Sequence, residues 1–452
     1  GYLTLDALDV APGFLTVSHP WPDPSPFPSP TLNEIQPHPA ASLDENAPIP
    51  TQEAVEELVE DFASNPYVGE DPGLIVTDAL TGEELASVNA DEAVTPASTT
   101  KLVTGVAALA GLEPTYRITT PVVHGAQDDP QAVTIIGQGD VTLSPTKGDE
   151  DAVIGHGGVK DLAKQAAKEL RARDVTTITD VVVDESMWEG PDMAPRWDDR
   201  DLAEGWIIPQ SPLALDLGRI EGQLTRTSQP AQDVGEAFVS VLEDEGIEVT
   251  GEVRSGQAAE DAAELGSVES AALVDLVEYM LVYSDNVLAE SLGRVVATHT
   301  NHPGSFEGAQ QAIEEQLEKL EVSTVGLRLV DASGLSSKNK ISPRTLAESL
   351  DVISHDHPEL LGVVRGMPIA GLEGTLQGRM GDSAAAGVVR GKTGSLRNVA
   401  TIAGQVHTRD GRLLHVAIMT RKWEGSLNQA REAIDDVLLG LAECGCTPSA
   451  AD

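Results

Sequence analysis

The stretch Pro96-Ala-Ser-Thr-Thr-Lys101 runs directly into Leu102, Val103, Val106, Ala107 and Leu109, the spacing of an apolar helix, and the rest of the chain has to be organised around it. A serine three residues before a lysine at a helix start puts both side chains on one face, one turn apart. That is a nucleophile beside a candidate base. The same spacing recurs at Ser144 to Lys147 and at Ser337 to Lys340, so the pattern alone is not specific. Pro145 and Gly148 interrupt the second occurrence and Pro343 closely follows the third, which leaves Ser98 as the one that opens a helix. Two readings stay open: Ser98 as nucleophile with Lys101 as base, or Ser98 or Thr99 as a helix N-cap with Lys101 exposed.

Around this helix the sequence changes character several times. The first fifty residues hold 11 of the 28 prolines and read as an extended, semi-rigid spacer, with a ligand for a proline-reading domain as the other use of such a stretch. A helix is expected from Thr51 to Ser64, then strands at Gly73 to Asp78 and Glu84 to Val88. From Tyr116 to Leu265 short strands, Gly-rich and Asp-rich turns and two helices read as an inserted α/β region, leaving 51–115 and 266–448 as one discontinuous domain. Helical pattern resumes from Ser270 to Val296, broken by Tyr283-Ser-Asp-Asn286. Ser, Asp and Asn compete for backbone hydrogen bonds, so they disrupt a helix; a helix-helix junction capped by Ser284 or Asp285 accounts for them as well as a functional site does. The sole Lys-Thr-Gly, at Lys392, precedes two strands, Val399 to His407 and Arg412 to Thr420, joined by Arg409-Asp-Gly as a hairpin. A helix from Ser426 to Leu441 closes the chain.

Charge excludes one class of function. With 29 Lys and Arg against 73 Asp and Glu, a net charge of −44 repels nucleic acid and anionic lipid. The acidity is spread along the chain, as on a surface suited to solubility or high salt. No Asp-x-Asp-x-Asp-Gly loop is present, the ten histidines lack ligand spacing, and the two cysteines, Cys444 and Cys446, are confined to a C-terminal Cys-Gly-Cys. No metal and no other cofactor is therefore expected. No run of 18 apolar residues occurs, and the start at Gly1 rather than Met fits a signal or anchor segment already removed.

Ser98-x-x-Lys101, Ser284-x-Asn286 and Lys392-Thr-Gly follow one another in the order used by penicillin-recognising serine acyl enzymes. The chain resembles the low-molecular-mass class C penicillin-binding proteins, the D-Ala-D-Ala carboxypeptidase/endopeptidase family, over roughly 51–441. Ile136-Gly-Gln-Gly-Asp-Val-Thr-Leu143, Asp331-Ala-Ser-Gly-Leu-Ser336, Pro368-Ile-Ala-Gly-Leu-Glu-Gly-Thr-Leu376 and Arg390-Gly-Lys-Thr-Gly-Ser-Leu396 strengthen the resemblance. It implies an α/β (α+β) transpeptidase-like fold, an antiparallel sheet flanked by helices, with an inserted region between the first two motifs. It implies that Ser98 attacks the carbonyl between two D-alanines, that Lys101, its pKa lowered by burial and the Lys392 charge, takes the proton, and that Ser284 relays it to the leaving amine. Asn286 would hold a substrate amide, Lys392 and Thr393 the terminal carboxylate, and the N–H groups of Ser98 and Ser395, flanking Gly394, the oxyanion. The Asp285 side chain would point elsewhere. The implied partners are peptidoglycan stem peptides and β-lactams, outside the cytoplasm. An esterase or β-lactamase on the same scaffold is the enzymatic alternative, although no Glu-x-x-Leu-Asn lies between Ser284 and Lys392. A slow β-lactam-sensing or wall-binding protein is the other.

Overall fold

The structure, a computed structural model, describes residues 46–354 and 357–444 of the 452. The proline-rich stretch up to residue 45 and Cys446 lie outside them. Helix α1 (Gln52–Ser64), capped by the Thr51 hydroxyl, leads to the antiparallel pair β1 (Gly73–Asp78) and β2 (Glu84–Val88). A short 3₁₀ turn, Ala97–Thr99, then opens α2 (Thr100–Gly111).

A second sheet follows, formed by β3 (Arg117–Ala126), β4 (Val133–Ile136), β5 (Val181–Asp184), β6 (Val253–Ser255) and β7 (Ala258–Ala272) in the order β6-β5-β4-β3-β7. Helices α3 (Val159–Ala172) and α4 (Pro230–Asp244) bury their apolar stripes against it, Leu162, Ala166 and Leu170 from one, Val234, Phe238 and Leu242 from the other. Strand β7 runs through the boundary expected at residues 265 and 266, and its last residues, Ser270 to Ala272, are strand where helix is expected. Pairing with β3 along most of that strand's length overrides the weak strand propensity of its alanines and glutamates.

From there α5 (Leu273–Tyr283), α6 (Asn286–His299), α7 (Phe306–Lys319) and α8 (Pro343–Ser354) lead back to the first sheet. That sheet is completed by β8 (Val389–Leu396), β9 (Val399–His407) and β10 (Leu413–Arg421) in the order β8-β9-β10-β1-β2, and α9 (Leu427–Glu443) covers it. The architecture is thus an antiparallel five-stranded sheet between helices, joined to a second, mixed sheet.

The two faces of the central strands pack against different helices. Ile402, Val406, Val416 and Ile418 face α1 and α9, where they pack with Val55, Val59, Phe62, Ile434 and Leu438. On the opposite face Ala403 and Ala417 belong to the core built by α2, with Leu102, Val103 and Val106. The helix laid directly against that face is α8, and α2, packed among the other helices of this core, is buried almost all round. This core also takes in Ile118, Val141, Trp197, Ile207, Ile208 and Leu217 from the region of the second sheet, so the two parts share apolar contacts.

Candidate active site

Ser98 sits in the 3₁₀ turn that starts α2, half-buried and facing a cleft of about 570 Å³. Neither Ser98 nor Thr99 supplies a side-chain cap, so the capping alternative fails; Thr99 Oγ1 donates instead to Pro96 O and Thr100 Oγ1 to Ala97 O. Ala97 has φ of +51°, a conformation that costs a non-glycine residue about 1 kcal/mol or more. Its neighbours impose it: a Cβ on Gly334 would stand 1.8 Å from the Ala97 carbonyl oxygen, and one on Gly394 2.9 Å from the Ser98 nitrogen. The Ser98 turn is therefore wedged between the loop after α7 and the Lys-Thr-Gly strand.

Lys101 is fully buried, with Nζ 3.2 Å from Ser98 Oγ, 2.7 Å from Asn286 Oδ1 and 2.7 Å from Ser333 O. A neutral amine has two N–H bonds and one lone pair. Two of the three neighbours are pure acceptors, so they take the two hydrogens and the lone pair is left for the Ser98 hydroxyl. Burial pushes the ammonium pKa down to about 8, against the pull of Asp331, Asp285 and Glu290. Desolvation, rather than the Lys392 charge, is thus the chief cause.

Ser284 ends α5 in a left-handed conformation, φ +56°, and Asp285 caps α6 by accepting from Leu288 N–H at 3.0 Å. The helix-helix junction and the site are the same feature. Asn286 lines the cleft, yet both ends of its amide are engaged within the protein: Oδ1 by Lys101, and Nδ2 donating to Trp206 O at 2.9 Å. It orients Lys101, which adds a task to the substrate-amide role expected of it.

Lys392, Thr393, Gly394 and Ser395 lie on β8, the edge strand of the sheet; its outer side is bridged to residues 368–370 at Val389 to Gly391 and, among the described residues, has no paired strand beyond them, where a peptide strand could add. Thr393 and Ser395 line the cleft, but Lys392 is fully buried, its Nζ donating to Ser284 Oγ at 2.9 Å and to Thr393 O at 3.0 Å. Burial and the Lys101 charge hold its pKa well below the usual lysine range. The cleft is also lined by two half-buried arginines, Arg431, whose Nη2 reaches Ser395 Oγ at 3.2 Å, and Arg379, which is paired with Asp435. Ser144, by contrast, closes a turn onto Thr146, and the Ser337 carbonyl accepts from Thr95; neither serine is among the residues lining the cleft.

Sequence reasoning missed the groups behind the lysines. Glu290 is fully buried; it accepts from Ala332 and Ser333 N–H at 2.8 to 3.2 Å and fixes the loop whose Ser333 carbonyl holds Lys101. Burial and then the Asp331 charge raise its pKa to about 7, with Arg294 opposing. Its position, four residues after Asn286 on one helix face, was the available signal. Asp331 accepts from Gly334 and Ser336 N–H and from Trp197 Nε1, closing the same loop. Among the described residues no His, Cys, Asp and Glu cluster could hold a metal ion.

A hydroxyl beside a buried amine with a free lone pair, a second hydroxyl held by a second lysine, and an open strand edge together define a serine acyl-transfer enzyme of the penicillin-recognising class. The family model for "D-Ala-D-Ala carboxypeptidase 3 (S13)" matches residues 54–229 and 221–440. The chain belongs to this family and is a serine-type D-Ala-D-Ala carboxypeptidase. It is 37% identical over 413 residues to Carboxypeptidase DacB of Mycolicibacterium smegmatis, a match covering 89% of this chain and 87% of that protein. To the D-alanyl-D-alanine carboxypeptidase of an Actinomadura species it is 27% identical, with 80% and 79% covered. In fold it is similar to the crystal structure of penicillin binding protein 4 from Haemophilus influenzae, with a TM-score of 0.71, 22% identity, and 85% of this chain and 98% of that one covered.

Proposed function

We propose that Ser98 is the acylated residue, and that the enzyme acts on peptidoglycan stem peptides ending in D-Ala-D-Ala and is acylated there by β-lactams. The observation that carries this is the hydrogen-bond geometry of Lys101. Its lone pair takes the proton of Ser98 Oγ–H as Oγ attacks the carbonyl carbon between the two D-alanines. The backbone N–H groups of Ser98 and Ser395, brought together by the contact of Gly394 with the nucleophile's turn, receive the oxyanion. The proton passes through the Ser284 hydroxyl to the leaving nitrogen, the C–N bond breaks and D-alanine departs. Water then attacks the Ser98 ester, giving its proton to Lys101; the bond from the carbonyl carbon to Oγ breaks, Lys101 returns the proton to Ser98 Oγ, and the shortened peptide is released.

The same reading takes the second-sheet region as an insertion in a catalytic domain built from the segments on either side, with its far edge at the end of β7. It also places the enzyme outside the cytoplasm, where its substrate is; no described helix is long and apolar enough to cross a membrane. A synthetic pentapeptide ending in D-Ala-D-Ala should lose one D-alanine per turnover, and stoichiometric penicillin should stop that release. Penicillin labelling without measurable D-alanine release would reject the carboxypeptidase assignment in favour of a sensing role.

The proton step fixes a pH dependence. Only unprotonated Lys101 accepts the Ser98 proton, and its pKa is lowered to about 8, so the acylation rate should be small below that pH and climb as pH rises through it. Stopped-flow acylation by a chromogenic penicillin from roughly pH 6 to 9 measures this, and a flat profile would remove Lys101 as the base.

A further inference from the structure

Asp285 lies between two site residues and points away from the cleft, and what it points at comes from a distant part of the chain. Its side chain is only 3% exposed. One oxygen caps α6; the other accepts from Arg226 Nη2 at 2.7 Å and from Arg219 Nη2 at 3.4 Å. Arg226 also donates to Leu217 O at 2.8 Å, and Arg219 to Tyr279 OH and Asp216, both at 3.2 Å. The two arginines are the ends of one hairpin, bridged across Arg219 and Arg226.

The backbone feeding this hairpin is held under strain. Asp216 and Leu217, neither of them glycine, have φ of +43° and +57°, and Gly218 follows at +75°. Such conformations persist where the surroundings over-determine them, and they cluster where a site has to be held in one geometry. Here they turn the Leu217 carbonyl onto Arg226. A few residues upstream the Trp206 carbonyl takes the other side of the motif, accepting from Asn286 Nδ2.

We infer that Arg226 is a positioning residue for acylation: by binding Asp285 it fixes the Ser284-Asp285-Asn286 junction, and so sets where the Ser284 hydroxyl and the Asn286 amide meet Lys392 and Lys101. The inference rests on the roles given above to Ser284 and Lys101. It makes residues 206–226 part of the catalytic machinery although none of them reacts. Cutting out the second-sheet region would then disable the serine and not merely expose apolar surface.

Electrostatics gives the test a readout that mere support of the fold would not move. Lys101 is faced by Ser98, Asn286 and Ser333 at hydrogen-bond distance, by the carboxylates Asp331, Asp285 and Glu290, which hold its proton on, and by Lys392, whose own pKa its charge depresses. Asp285 is in turn faced by Arg226 and Arg219, with Asp216 and Tyr279 beside Arg219. Arg226→Ala leaves Asp285 with one weaker counter-charge, which should hold the proton on Lys101 more strongly. Asp285→Asn removes one of the three carboxylates and should do the opposite.

The experiment is penicillin acylation and D-alanine release by the full chain against pH for Arg226→Ala, Arg226→Lys and Asp285→Asn, with melting temperatures. Arg226→Ala should slow acylation roughly 10 to 100-fold, in kcat more than in KM, as a small misplacement of reacting groups does. Its rising limb should move up by roughly half a pH unit, while that of Asp285→Asn moves down. Arg226→Lys should keep the wild-type limb and recover part of the rate, because a point charge replaces a fork that holds two partners. Wild-type rates and limb for Arg226→Ala, or losses that follow melting temperature alone with unmoved limbs, would overturn the inference. If Arg226→Ala does not fold, an Asp285→Asn limb that stays with that of Arg226→Lys overturns it equally. Labelling of Ser98 in the wild type stands apart from all of these, so failure here and failure of the serine assignment are told apart.

Discussion

Ser98→Ala should leave a folded protein that forms no covalent penicillin adduct and releases D-alanine slower by a factor on the order of 10⁶, the scale seen when a serine hydrolase loses its nucleophile. The loss should be confined to chemistry. The Ser98 side chain is half-buried at the cleft and its hydroxyl meets only Lys101 among the described hydrogen bonds, so the turn and its packing survive the truncation. Lys101 keeps Asn286 and Ser333 as acceptors and is not stranded. Removing a half-exposed hydroxyl should cost little stability, well under the several kcal/mol of a core truncation. Ser144→Ala and Ser337→Ala share the sequence spacing but not the geometry, and should label like the wild type. Mass spectrometry of the penicillin-treated variants reads all three. An adduct that survives Ser98→Ala would sink the assignment.

The site was legible where its geometry is local. A serine and a lysine one helical turn apart need only α2 to meet, and the order of the three motifs stood in for the long-range contacts that join them. The apolar patterns of α1, α2, α9 and the β9-β10 hairpin were equally readable, because each buries a face against a neighbour and shows the period of its own element. What the sequence hid depends on pairings between distant segments. Strand β7 is rich in alanine and glutamate and reads as nothing in particular until β3 is beside it. No spacing rule links Arg226 to Asp285, 59 residues away. A glutamate on a helix carries no mark of burial in the sequence; only the fold shows that α6 is buried almost all round, which turns Glu290 into the clasp of the Asp331 loop.

Lys392 shows the difference most sharply, because the motif names the residue and not the side of the strand on which its ammonium lies. The resemblance casts it as the cation that receives the terminal carboxylate. The structure buries it beside Lys101 with its Nζ on Ser284, while Thr393 and Ser395 present their hydroxyls to the cleft. Lys392→Ala should therefore slow the D-Ala-D-Ala peptide and its C-terminally amidated analogue alike, since both need Ser284 held and its proton passed on. Thr393→Val should separate the two. A hydroxyl donated to a carboxylate contributes roughly 1.5 to 3 kcal/mol, or about 10 to 150-fold in kcat/KM, and an amide that never had that partner loses far less. Valine keeps the volume and β-branching that β8 needs, so the comparison isolates the hydroxyl, although the 2.7 Å contact with Thr375 Oγ1 goes with it. The ratio of acid to amide rates cancels losses common to both substrates, so that ratio is the quantity to measure. A ratio that collapses in Lys392→Ala and holds in Thr393→Val would return the carboxylate to the lysine and show that substrate binding draws its ammonium out from behind Ser284.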